Sequence, residues 1–318
     1  MSSRQQSKLN GAAVLTVRIG GLTFQNPIVL AAGTAGYGRE LAGVMDLDAL
    51  GGIVTKAVSP LPRSGAPAPR VAEFANGMIN AVGLANPGLQ EVNEEHLPWL
   101  SRNLRRAITI VNVVGYTADD YVEVVTVLSD SPGVGGFELN VSCPNVERGG
   151  LEFGSDLQVL GDLVRRTREA TRKQLFVKLS PVAPDIVSSA RTAVDAGADC
   201  LTLVNTVPGL VIDVGERRPV LGFGTGGISG SAILPIGVLA TWKVRNAVTV
   251  PLMGVGGVSS AMDALQYLIA GASLVGVGTG ALRDPGLPAR IVADLERWCS
   301  ENCKGGLGEI IGSLQMPK

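Results

Sequence analysis

Residues 140–145 read NVSCPN, a cysteine set among hydrogen-bonding residues directly after the apolar run GVGGFEL. A chain leaving a buried strand there places Asn140, Ser142, Cys143 and Asn145 in the loop beyond it. A thiol in such a loop can serve as a base through its thiolate, whereas an inert cysteine packs among apolar neighbours. Other apolar runs end in polar residues too: Lys56 in GGIVTKAV, Asn112 in ITIVNVVG, Lys178 in LFVKLS, and Asn205 and Thr206 in CLTLVNT. A lysine in a run apolar on both faces costs desolvation free energy unless an anion or an electron-rich ligand meets it. Two lysines and three asparagines at equivalent ends point to a shared ligand rather than to separate side chains reaching for solvent.

Glycines mark two further ends, GVGG at 254–257 and GVGTG at 276–280. Each could be no more than a tight turn. Together, ahead of helical patterns, they suit a phosphate held by backbone N–H groups with no side chain in the way. Flavin mononucleotide fits, its phosphate at this end and its ring over the polar strand ends, where Cys143 could take a proton from carbon while hydride leaves the neighbouring carbon.

These residues need a scaffold that brings strand ends together. Short β-rich runs alternate with helical patterns: PIVLAAG, GGIVTKAV, ITIVNVVG, GFELNVS, LFVKLS, CLTLVNT, VPLMGVGG and SLVGVGTG. Helices are expected near 38–50, from Thr117, Ser155, Asp185, Ser231 and Ser259, and up to about Cys303. Strands alternating with helices predict a parallel sheet, and eight units predict a closed (β/α)₈ barrel with active residues at the C-terminal strand ends. An open doubly wound sheet is disfavoured because AAGTAGYG, after the first strand, is only a loose dinucleotide fingerprint. Two connections, Ser59 to about Pro98 and Val207 to Gly230, are too long for turns and are expected to act as lids or binding elements. No linker divides the chain, so residues 1–12 are expected to be a flexible tail and 13–318 a single catalytic domain.

Bulk properties narrow the ligand. With 27 basic and 28 acidic residues in 318, a formal charge of -1 and no basic run, the chain lacks a footprint for nucleic acid or an anionic membrane. Nothing approaches the roughly 18 apolar residues of a membrane span, and the polar start lacks a signal-peptide core. The four cysteines, Cys143, Cys200, Cys299 and Cys303, are too few and too irregular for a disulfide framework or a zinc site. A cytoplasmic protein with reduced thiols and no metal is expected. His96 is expected to be a solvated side chain in a mobile loop.

The motifs NPIVLAAG, TKAVS, PRVAEFANGMINAVGLANPG, NVSCPN, VKLSP, LVNT, FGTGGISG, GVGG and GVGTG carry a resemblance over nearly the whole chain. It resembles the class 1 dihydroorotate dehydrogenases, TIM-barrel flavin enzymes of pyrimidine synthesis, and most of all the class 1B catalytic subunit. The resemblance implies oxidation of dihydroorotate to orotate, with Cys143 as the base and Lys56 and Lys178 as catalytic partners. Lys56 and the backbone of Asn80, Ala81, Val82, Gly83 and Leu84 would hold the substrate, with Asn140, Asn145, Asn205 and Thr206 completing its pocket. The FMN would be held by Ala32, Lys56, Ala57, Asn112, Asn140 and Lys178, together with Val204, Gly230, Gly256, Gly257, Gly278 and Thr279. Lys178 is suited to negative charge developing on the reduced ring.

The class also implies a homodimer core within a heterotetramer, whose second subunit carries FAD and a 2Fe-2S cluster and passes electrons to NAD. Related pyrimidine-reducing enzymes, acting on uracil or thymine, replace the second asparagine of the cysteine loop with histidine and add iron-sulfur regions; this chain keeps Asn145. The membrane-bound class carries serine for the cysteine and an N-terminal helix. A non-catalytic flavin-binding barrel is the remaining alternative. Two positions depart from the pattern: Ala32 stands where serine is common and Ala66 where asparagine is common.

Overall fold

The computed structural model describes residues 14–142, 144–145 and 151–317. Its centre is a closed parallel barrel whose strands follow one another around the circle in chain order. They are β1 (Ile28–Leu30), β2 (Gly52–Val54), β3 (Ile108–Val113), β4 (Val134–Asn140), β5 (Gln174–Leu179), β6 (Cys200–Leu203), β7 (Leu252–Val255) and β8 (Leu274–Val277). β8 pairs back onto β1 through Gly276 and Val29. Strands covered on both faces should be apolar throughout, and β1, β2, β6, β7 and β8 are buried at every position.

The outer layer comprises α1 (Arg39–Ala42), α2 (Leu97–Asn103), α3 (Ala118–Leu128), α4 (Leu157–Glu169), α5 (Ile186–Asp195), α6 (Leu234–Arg245), α7 (Ala261–Ala270) and α8 (Leu287–Asn302). Their starts are written in the sequence. Thr117 and Asp120 form a reciprocal capping box on α3, and Asp156, Asp185 and Ser260 cap α4, α5 and α7. Two starts lie later than predicted because a 3₁₀ turn comes first, Phe153–Ser155 before α4 and Ser231–Ile233 before α6. α1 is cut to four residues between Gly38, at φ 91°, and Gly43. Tyr267 of α7 seats in a slot that exists because Gly254 and Gly237 lack side chains: a Cβ on Gly254 would come within 2.2 Å of its ring. Its hydroxyl donates to Gly256 O at 2.8 Å, tying the helix to the loop after β7.

The two long connections come together as one element. Val71–Phe74 and Gly77–Asn80 from the first pair with Gly226–Ser229 and Val207–Gly209 from the second, giving a four-stranded antiparallel sheet. Both connections leave the C-terminal ends of their strands, so this sheet lies over the predicted active face. At the other end, a hairpin of Val17–Ile19 and Leu22–Phe24 covers the barrel bottom, with Phe24 fully buried. No helix among the described residues is long and apolar enough to cross a membrane.

Two expectations need correction. The first connection is not loop as far as Pro98: helical structure begins at Leu89 and continues through a π-turn at Val92–His96 into α2. His96 is therefore not a solvated side chain in a mobile loop. Its ring stacks on Tyr37 with centroids 4.3 Å apart, and Nε2 lies 3.3 Å from Glu91.

Candidate active site

The barrel register brings the polar strand ends side by side. Lys178 of β5 stands opposite Asn140 on β4 and Thr202 on β6. Residues two apart on a strand share a face, so Glu138 and Asn140 point the same way, and Asn112 is in register with Glu138 on β3. Asn205, just past β6, donates from Nδ2 to Asn140 Oδ1 at 3.0 Å, and its own Oδ1 accepts from Thr206 N at 2.8 Å. Tyr121 of α3 donates its hydroxyl to Asn140 O at 2.8 Å, anchoring the strand end from outside. Because Asn140 Oδ1 is taken, its NH₂ end is the part available to a ligand.

The two lysines are placed differently. Lys178 is buried, and Lys56, just past β2, is half-buried with its backbone N donating to Gly36 O at 2.7 Å. Among the described residues neither side-chain ammonium has a hydrogen bond or an ion pair. Buried cations are normally paired, so an unpartnered ammonium at a strand end is poised for an anionic or electron-rich ligand.

The segment Asn80–Leu84 is held from several sides. Asn80 pairs with Gly227 in the lid sheet and donates from Nδ2 to its carbonyl. Ala81 N donates to Arg70 O and Ala66 N to Val82 O. Gly83 has φ 69°, and a Cβ there would lie 2.4 Å from Ala66 N. Ala66 therefore serves through its backbone, which an alanine supplies as well as an asparagine. Asn86 closes the base of this loop: its side chain bonds Ser59, Leu84 O and Gly88 N.

The glycine-marked ends also converge. Gly230, Gly256 and Gly257 have φ of 92°, 124° and 78°, where side chains are strained. A Cβ on Gly257 would lie 2.6 Å from Leu234 N at the start of α6. Thr279 Oγ1 donates to Ser229 Oγ at 2.8 Å, fastening the end after β8 to the lid sheet. A Cβ on Gly278 would meet nothing nearer than 3.7 Å, and one on Gly33, beside Ala32, nothing within 4 Å. Space remains open at these glycines for a phosphate-bearing group. Val204 is buried with its N on Val255 O, and Ala57 O accepts from the Tyr37 hydroxyl at 2.8 Å. These residues fit FMN: a glycine cradle at one end and free donors, with two ammonium groups, at the other.

Cys143 lies outside the described residues. Asn145 pairs through its backbone with Leu151. Two of the other thiols make poor bases: burial, followed by the charges of Glu138 and Asp199, pushes Cys200 up. Cys299 is pushed up to about 12 by burial and by neighbouring Cys303. Among the described residues no group of three or more His, Cys, Asp or Glu side chains could hold a metal.

Glu138, Thr202, Asn86 and Ser229 take part in the site yet were missed in the sequence. The signal for Glu138 was present, a carboxylate inside the apolar run GFELNVS.

Comparison with known proteins agrees with this geometry. The family model described as dihydroorotate dehydrogenase matches residues 14–298. Relatives named dihydroorotate dehydrogenase B (NAD(+)), catalytic subunit, are similar over nearly their whole length. The one from Pelobacter propionicus is 45% identical over 301 residues, covering 95% of this chain and 98% of the relative. Those from Geobacter sulfurreducens and Geobacillus kaustophilus are 43% and 45% identical, covering 95% and 94% of this chain and 98% and 95% of the relatives. With a closed parallel barrel, polar strand ends and a match over most of its length, the chain belongs to the dihydroorotate dehydrogenase family.

Proposed function

We propose that this chain is the FMN-bearing catalytic subunit that oxidises (S)-dihydroorotate to orotate in pyrimidine synthesis. The observation that carries the reading is the mouth itself: Lys178 in register with the Asn140–Asn205 amide pair, its ammonium without a partner among the described residues, under a lid sheet. Lys56 and the backbone of Asn80–Leu84 receive the substrate carboxylate and ring. Asn140 presents its NH₂ to the bound ring because its oxygen is already held by Asn205, and Asn145 and Thr206 complete the pocket. The sheet of Val71–Asn80 and Val207–Ser229 keeps water from the reacting atoms.

FMN, when bound, supplies the acceptor for the hydride leaving C6 of the substrate. Cys143 takes the C5 proton on its sulfur, so that the double bond of orotate forms between C5 and C6. Lys178 lends fixed positive charge to the face on which negative charge accumulates. Ala32, Ala57, Asn112, Val204 and the glycines at 230, 256, 257 and 278, with Thr279, hold the flavin.

Electrons leave through a second subunit carrying FAD and a 2Fe-2S cluster to NAD, in a heterotetramer built on a catalytic-subunit homodimer, within the cytoplasm. The support is the name carried by the relatives, which couples a catalytic subunit to NAD(+). The described residues are read as one catalytic domain. Anaerobic addition of dihydroorotate to the purified yellow chain tests the reading. Bleaching of the flavin by dihydroorotate but not by dihydrouracil or dihydrothymine is expected; bleaching only by the latter two would make it a pyrimidine-base enzyme.

A further inference from the structure

Below the mouth sits a carboxylate that the mechanism above does not use. Glu138 is 1% exposed, and both of its oxygens are occupied by neutral donors. Asn112 Nδ2 donates to Oε1 at 2.8 Å from β3, and Thr202 Oγ1 donates to Oε2 at 2.8 Å from β6. Among the described residues it has no ion pair. Burying a carboxylate with two uncharged partners is costly, so a reason for its presence is required.

The reason follows from hydrogen-bond polarity. Both carboxyl oxygens accept, Oε1 from Asn112 and Oε2 from Thr202, so Asn112 turns its NH₂ end toward Glu138. The Asn112 backbone is fixed independently: its N donates to Thr55 Oγ1 at 3.2 Å and its carbonyl accepts from Val58 N at 2.9 Å. The amide oxygen is left at the opposite end, where no donor among the described residues reaches it. The buried side-chain atoms sealed without a partner, among the described residues, are His96 Nδ1 and Ser142 Oγ. Asn112 Oδ1 is not one of them, so the described residues do not seal it off from a ligand.

The geometry points to Glu138 as the positioning residue that fixes the carbonyl end of Asn112 toward the ligand, so that the site selects a ring presenting an N–H donor. This rests on the flavin reading, because the oxidised isoalloxazine ring has a single ring N–H, at N3. A glutamine at 138 offers a donor as well as an acceptor. Asn112 could then turn over, and the preference for an N–H edge would be lost.

The test compares two probes, FMN and its N3-methyl analogue, bound to the full-length chain stripped of flavin, with dissociation constants from fluorescence quenching. The wild type is expected to prefer FMN by about tenfold or more, the scale of one hydrogen bond to a buried acceptor left unpaired. In Glu138→Gln the ratio of the two constants is expected to fall to within about twofold, while Thr202→Val, which leaves the carboxylate in place, keeps it near the wild-type ratio. A Glu138→Gln chain with the wild-type ratio, or a wild type without preference, overturns the assignment. A wild type that binds neither probe instead overturns the flavin reading and this inference with it.

Should Glu138→Gln fail to fold, the wild type answers alone. With ¹⁵N-asparagine labelling, and Asn112 assigned by its loss in Asn112→Asp, one side-chain amide proton is expected well downfield, as for a donor to a carboxylate. Both protons at free-amide positions would overturn the proposal.

Discussion

Asn205 and Asn140 come from strands on either side of β5, yet their side chains meet at 3.0 Å across the strand that carries Lys178. The barrel's curvature makes this possible, since inward side chains of alternate strands approach one another. Each amide is thereby oriented before any ligand arrives, Asn205 by Thr206 N and Asn140 by Asn205.

Removing the first of these amides should loosen the second. Asn205→Ala is expected to weaken orotate binding about five- to tenfold, the scale of one hydrogen bond, with flavin content unchanged. A titration of the flavin spectrum with orotate measures it. Unchanged affinity would mean that Asn140 keeps its orientation without Asn205.

Lys178→Ala removes a buried cation that has no partner among the described residues, so the fold should survive. Flavin reduction at saturating dihydroorotate should slow by about 10²- to 10³-fold, as when one preorganised electrostatic group is lost. Anaerobic stopped-flow absorbance reports it, and wild-type flavin content together with a wild-type rate would remove Lys178 from the chemistry.

Asp48 gives a prediction about stability alone. Burial pushes its carboxyl up, but three backbone N–H donors, of Ala107, Arg106 and Arg105, together with the Arg106 charge outweigh this, and its pKa lies below the ordinary 3.8. The carboxylate accepts these donors where the chain enters β3, far from the mouth. A depressed carboxyl stabilises the fold above its unfolded value, and that contribution is lost as pH falls through the folded one. Asp48→Ala should therefore cost about 2 kcal/mol at pH 7, with the gap to wild type narrowing below about pH 4. Urea unfolding at both pH values checks this; a gap independent of pH would contradict it.

The barrel was legible because its units repeat in one chain order and its strands are apolar on both faces, a pattern that short local runs suffice to reveal. The polar strand ends were legible for the same reason, since Lys178 or Asn205 interrupts a run that should have none. What stayed hidden depends on contacts distant in sequence. The pairing of Gly227 with Asn80 joins two connections into one lid, and no local pattern records it. Glu138 is hidden because it is not the last residue of its strand: the period of two places an inward residue just below Asn140. His96 was misjudged because its partner, Tyr37, lies in another connection.

The proposed chemistry turns on the base in NVSCPN. Serine keeps the size of Cys143 but raises the side chain's pKa by several units. Cys143→Ser should bind orotate nearly as the wild type does, while reduction of the flavin by dihydroorotate slows about 10²- to 10⁴-fold, as for a lost general base. The residual rate should climb with pH. Anaerobic stopped-flow reduction across pH, with orotate affinity measured alongside, is the direct measurement. A reduction rate near wild type in the serine variant would contradict the account, leaving Cys143 a packing residue and the base elsewhere.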